Sequence, residues 1–242
     1  MKIDLAIILG ANIFAASFIL YDRYMAYKSK HPINYLQSIN QLSNQYIIIR
    51  HGESMANTMK IISSDSDIAT VCHGLTPTGR QQVQLTAVQL QQLIQYQNKI
   101  MIYTSDFLRA VETTNIIATH LRIHKQNVHI TPELRERGFG SYNDTSDSNY
   151  ELVWCNDLND ADHTINHVES VNHVIERTSK LIAELERKHC KSTILLVAHG
   201  DVLQIIQTMF DRIDGSQHRS LRHLTPAEAR VLSLQPLNDD VT

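Results

Sequence analysis

The chain alternates short apolar runs with longer stretches of helical spacing. Residues 46–49 (YIII), 100–104 (IMIYT), 128–131 (VHIT) and 193–198 (TILLVA) are mainly apolar, the pattern of strands buried on both faces of a parallel sheet. Thr76 predicts an N-cap with Pro77 at the first helical position. Val83, Ala87, Leu90 and Ile94 then mark one face of a helix reaching about Gln97. Further helices are predicted from about Asp106 to His120 and from about Val168 to Lys188, the latter with Val171, Val174, Ile175, Ile182 and Leu185 inward. Another follows His199, carrying Val202, Ile205, Ile206 and Met209, and "RVLSL" (230–234) predicts a last strand. The alternation predicts an α/β fold: a three-layer α/β/α sandwich with a mainly parallel central sheet and right-handed crossovers.

The first thirty-three residues follow a different pattern. From Leu5 to Tyr21 the run "LAIILGANIFAASFILY" is 17 residues long without a charge, the lower limit for a membrane-spanning helix. Asn12 interrupts it, and "AASF" makes a poor cleavage site, so a signal peptide is the weakest reading. A membrane anchor and a helix packing on its own domain or on a second copy both fit. Arg23, Lys28 and Lys30 follow the run against Lys2 before it, so a spanning segment places the main domain in the cytoplasm. The break at His31–Pro32 separates residues 1–33 from a domain over 34–242, whose length suits one core.

Composition excludes some classes. A net charge of −3 without a basic stripe argues against nucleic acid as a partner. Cys72, Cys155 and Cys190 are odd in number and widely spaced, which fits free thiols better than a disulfide framework or zinc site. The oligomeric state has no signature in the sequence.

In open α/β sheets ligands sit at the carboxyl ends of the strands. There the chain places Arg50 and His51, then Ser105, Asp106 and Arg109, then Glu133, Arg135, Glu136 and Arg137, and finally His199. Each residue alone has an ordinary structural reading; their shared address points to phosphoryl transfer. Neutral imidazole is a good nucleophile, guanidinium groups match phosphoryl oxygens, and a carboxylic acid can protonate a leaving alkoxide and then activate water. The histidines lack an accompanying ligand cluster, so no metal and no cofactor is expected.

The blocks "RHGES" (50–54) with Asn57, "LTPTG" (75–79), "SDFLRAVETT" (105–114), "LRERGFG" (134–140) and "VAHGD" (197–201) resemble, in order, those of the histidine phosphatase superfamily, also called phosphoglycerate mutase-like. The resemblance spans about residues 45–234. It implies that His51 is the phosphorylated nucleophile and that Arg50, Arg109 and His199 clamp the phosphate, with Asn57 a polar neighbour. It also implies Glu136 as proton donor, ahead of Glu133 and Asp106, and Arg137 as a substrate contact. The implied activity is a metal-independent phosphomonoester phosphatase acting on a phosphorylated small molecule or phosphoprotein. Phosphoglycerate mutase and a non-catalytic phosphate-binding scaffold are the alternatives, although a degenerate scaffold should have lost one of these residues.

Three departures from the family pattern stand out. His73 precedes "LT" where aspartate is common, and "GD" after His199 replaces a commoner "GG"; neither is expected to touch the reacting atoms. The third is an acidic cap insertion, about 140–167. From Gly138 to Glu176 there is no lysine or arginine, while Asp144, Asp147, Glu151, Asp157, Asp160, Asp162 and Glu169 crowd the segment. It is either a solvated loop or a lid. As a lid it lacks cations for a substrate carboxylate and would favour esters with a neutral or cationic remainder. Tyr142, Tyr150, Leu152, Val153 and Trp154 would then line the pocket.

Overall fold

In the computed structural model, residues 33–97 and 99–237 are described. The apolar run Leu5–Tyr21 lies outside them, and with it the anchor reading. Among the described residues no helix is long and apolar enough to cross a membrane.

Strand β1 (Gln45–Arg50) is followed by two short helices, α1 (Met55–Met59) and α2 (Ser66–Ala69), and then by α3 (Pro77–Leu93). Strand β2 (Ile100–Thr104) leads into α4 (Leu108–His120), and β3 (Val128–Ile130) into the cap with its helix α5 (Tyr150–Asn159). Helix α6 (Val171–Lys188), strand β4 (Thr193–Ala198), α7 (Gly200–Asp211) and β5 (Ala229–Leu232) complete the order. The sheet runs β3-β2-β4-β1-β5, parallel except for β5, which returns antiparallel along β1.

Alternation along the strands divides the interior into two layers. Tyr46 and Ile48 of β1 and Ile194, Leu196 and Ala198 of β4 face α6 and α7, packing with Val174, Ile182, Ile205 and Met209. Ile47, Ile49, Leu195 and Val197 face α3 and α4, packing with Val83, Leu90, Ala110 and Ile117. Both central strands are thus apolar at successive positions, as burial on two faces requires. The three-layer sandwich follows.

Element ends depart from the expectations where side chains take over backbone hydrogen bonds. Thr76 caps α3 as expected, its hydroxyl accepting from Gly79 N–H, but the helix stops at Leu93 rather than Gln97. Gln45 Oε1 and Thr193 Oγ1, both in the sheet, accept the N–H groups of Gln95 and Tyr96 and pull the chain out of helical register. Helix α6 starts at Val171 rather than Val168 because Ser170 is its N-cap, accepting from His173 N–H.

The cap is a folded unit with its own small core of Ile62, Phe139, Val153 and Val168, against which Tyr142 and Tyr150 pack. It is tied to the body where Ile61 pairs with Ser146 and where Ile62 and residues 144–145 exchange backbone hydrogen bonds. Gly140 sits at φ +52, and a Cβ there would lie 2.2 Å from the Asn166 carbonyl oxygen, so only glycine fits this turn.

Candidate active site

The carboxyl ends of β1, β2 and β4 lie side by side because these strands pair in register, Arg50 opposite Ala198 and Thr104 opposite Val197. The next residues therefore converge: His51 and His199 meet edge to face with ring centroids 5.2 Å apart, and Arg109 reaches them from the first turn of α4. Both imidazoles are buried.

The hydrogen bonds fix the tautomers. His51 Nδ1 lies 2.7 Å from the Gly52 carbonyl oxygen; a carbonyl only accepts, so Nδ1 carries the proton and Nε2 the lone pair. Arg109 Nε–H donates to His51 Nε2 at 3.1 Å and to His199 Nδ1 at 3.2 Å. His199 Nε2–H then donates to Ser105 Oγ at 2.9 Å. Burial, with the Arg109 charge next, pushes both histidines well below the ordinary imidazole range, which keeps His51 neutral and nucleophilic near pH 7. Burial lowers Arg109 to about 10, still cationic at neutral pH. Its Nη2 donates to the Ser63 carbonyl, and Ser63 Oγ bonds His73, so the unusual His73 supports Arg109 through Ser63.

Arg50 donates through Nη1 to the Leu224 carbonyl and to His223 Nε2. Its Nε is buried without a partner, a donor left available to an anion. Glu136 is buried too; its Oε1 accepts from the N–H groups of Arg137 and, at 3.4 Å, Val202. Burial and then the nearby Asp201 raise its pKa, against the lowering influence of Arg109 and Arg50.

Arg50 and Glu136 open onto a cleft of about 220 Å³, whose walls include Asn57 and Ile61 from the body, Asp147, Tyr150 and Trp154 from the cap, and Asp201 and His223. Asn57 accepts from Ser54 N–H and Oγ–H through Oδ1, closing a capping box on α1, so it shapes the cleft wall as well as lining it. Among the described residues no group of three or more His, Cys, Asp or Glu could hold a metal ion.

A comparison with family models matches the histidine phosphatase superfamily (branch 1) over residues 46–240. The chain belongs to the histidine phosphatase superfamily. A curated relative, phosphoglycerate mutase-like protein 4 of Arabidopsis thaliana, is 29% identical over 181 residues, covering 72% of this chain and 73% of that one. The fold resembles that of a mycobacterial glucosyl-3-phosphoglycerate phosphatase (TM-score 0.64, 20% identity, 78% of this chain and 89% of that one). It also resembles a phosphoserine phosphatase of Entamoeba histolytica (TM-score 0.61, 21% identity, 78% and 89%).

Within this histidine phosphatase domain Arg137 departs from its expected role. It is fully buried, donating through Nε to the Glu169 carbonyl, through Nη1 to Asp157 and Asp201, and through Nη2 to Asp157. It braces the cap and is not among the described residues that line the cleft. Of the alternative acids, Asp106 is held by Arg135 at 2.6–3.1 Å, and Glu133 lines no part of the cleft.

The acidic cap also differs from the expectation. Asp157 and Glu169 are paired with Arg137 and Arg177, and Asp147 is the one carboxylate of residues 140–167 among the described cleft-lining groups. Tyr150 and Trp154 line the cleft, but Val153 is in the cap core and Leu152 points outward, 54% exposed.

Sequence reasoning missed three contributors. Asp201, in the quoted "VAHGD", accepts from Trp154 Nε1 at 3.0 Å, linking α7 to the cap. His223 and Arg219 come from the segment before β5. Arg219 lies 3.5 Å above the Trp154 ring and donates to Gln204, which also bonds His223. No spacing signal marks these two, since their partners are contributed by other elements.

Proposed function

We propose that this protein is a phosphomonoester phosphatase that works through a phosphohistidine at His51 without a metal. The observation that carries the reading is the fixed tautomer of His51: its Nδ1–H is bound to the Gly52 carbonyl, and its Nε2 lone pair accepts from Arg109, one residue along the chain from Arg50, which lines the cleft with Glu136. A phosphoryl group seated against Arg50 and Arg109 exchanges the Arg109 bond for contacts to its own oxygens. Nε2 attacks phosphorus, the P–O bond to the alcohol breaks, and Glu136 donates its proton to the departing oxygen. The Glu136 carboxylate then takes a proton from water, the resulting hydroxide cleaves the P–N bond, and phosphate leaves with His51 restored.

Asp147 disfavours the mutase alternative, because it adds an anion to a cleft whose described lining holds no arginine or lysine besides Arg50. The scaffold alternative is disfavoured by the intact set Arg50, His51, Arg109, Glu136 and His199. The test is labelling with a phosphorus-labelled ester in the presence of EDTA. An acid-labile, base-stable phosphoenzyme is expected, absent in His51→Ala. Labelling that survives the substitution, or turnover that stops with EDTA, overturns the reading.

A further inference from the structure

The cleft beyond the phosphate clamp is chemically one-sided. Among its described lining residues Arg50 is the cation, and it is committed to the phosphate end. His223, held to about pKa 4 by burial and then by Arg50, adds no positive charge. The same lining includes Asp147, half-buried and paired with no basic group within ion-pair distance among the described residues. Its position is set by the backbone, since its N–H donates to the Lys60 carbonyl at 2.9 Å and its neighbour Ser146 pairs with Ile61. Asp201 differs from it, being held by Arg137 and Trp154.

The aromatic wall offers little competing recognition. Trp154 has one face stacked on Tyr150 at 5.3 Å and 6° and Arg219 3.5 Å above its ring, and Tyr150 also meets Phe139 edge to face. These rings form a wall already in contact with its neighbours, which suits a small aliphatic remainder better than one that needs to stack.

Resting on the phosphatase reading, we infer that Asp147 is a specificity residue that receives an ammonium group on the alcohol part of the substrate, so that the preferred class is aminoalkyl phosphomonoesters. An ammonium a few bonds from the ester oxygen replaces the missing basic partner of Asp147, and a carboxylate at the same place is repelled by it.

Phosphonates test this without turnover. Affinities of the full chain for aminoalkyl-, alkyl- and carboxyalkylphosphonates of two- and three-carbon length are measured by calorimetry, in the wild type and in Asp147→Asn. A partly buried ion pair is expected to favour the amine over the neutral analogue by about five- to tenfold. The carboxylate analogue should bind weakest, and added salt should narrow the spread. In Asp147→Asn, whose similar shape guards against misfolding and whose melting temperature is compared with the wild type as a control, the amine and neutral analogues should agree within about twofold. An amine preference unchanged in Asp147→Asn at both lengths, or no binding of any phosphonate, overturns the inference. Failure of the phosphatase reading is separately visible: phenyl phosphate would not be hydrolysed while the Asp147-dependent order of binding persisted.

Discussion

Replacing Arg137 by methionine should cost stability and leave phosphate recognition almost unchanged. The guanidinium makes four hydrogen bonds, two of them a fork on Asp157 at 2.6 and 2.7 Å, and is fully buried. Methionine fills the space of the stem but removes the cation between two buried carboxylates, leaving Asp157 with His163 Nε2 at 2.7 Å as its remaining close partner and Asp201 facing it. Breaking a buried pair in this way costs about 3–5 kcal/mol. In a domain of this size each kcal/mol lowers the melting temperature by about 2–4 °C, so a drop on the order of 10 °C is expected. Replacing Asp157 by leucine in the same chain should recover part of the loss, because removing both charges is far less costly than removing one. The assay is thermal unfolding followed by the fluorescence of the single tryptophan, Trp154, which contacts the network through Asp201. KM for a neutral aryl phosphate is measured alongside, at a temperature where both proteins are folded. A melting temperature within about 2 °C of wild type together with a tenfold rise in KM would refute the structural role and return Arg137 to the substrate.

Two further outcomes test the reacting groups. In the proposed mechanism Glu136 acts first as an acid, and burial with Asp201 raises its pKa; the protonated form exists below that pKa, so kcat/KM for alkyl phosphates should fall as pH rises through it. Glu136→Gln should remove this limb and slow alkyl esters by about 10²–10⁴, with aryl esters less affected, and a limb that persists in the variant counts against Glu136. His223 serves as an acceptor for Arg50 Nη1 at 2.9 Å. His223→Ala should raise KM about tenfold with a smaller change in kcat, while His223→Gln, which keeps an acceptor, should recover most of the loss; equal defects in both would sink the positioning role.

The body of the fold was legible because its strands are buried on both faces. Ile47, Ile48 and Ile49, like Ile194 to Val197, face core on either side of the sheet, which makes a run of consecutive apolar residues a direct readout of a central strand. Helix ends were less legible for an equally local reason. Gln45 and Thr193 stop α3 from across the sheet, at a sequence separation of 50 and 97 residues, where no capping signal adjacent to the helix can register. The direction of β5 was likewise not encoded in "RVLSL"; it depends on the chain returning past His51, whose carbonyl accepts from Ala227 N–H.

The candidate site divides along the same line. Arg50 ends a strand and His51, Arg109 and His199 follow or closely follow one, so the strand pattern itself gathers them, and their geometry depends on parallel register. Arg137 also stands at the right address, one residue after Glu136, but its guanidinium is taken up by Asp157, Asp201 and the Glu169 carbonyl. Glu136 lines the cleft, while Arg137 is fully buried against carboxylates that need a partner. The absence of lysine and arginine between Gly138 and Glu176 therefore had a second meaning that charge counting could not supply. The cations exist, but Arg137 and Arg177 flank the insertion and reach into it from either end, binding Asp157 and Glu169. What remains for a substrate is the difference between the acidic composition of the cap and the charges already neutralised inside it. At the cleft that difference is Asp147.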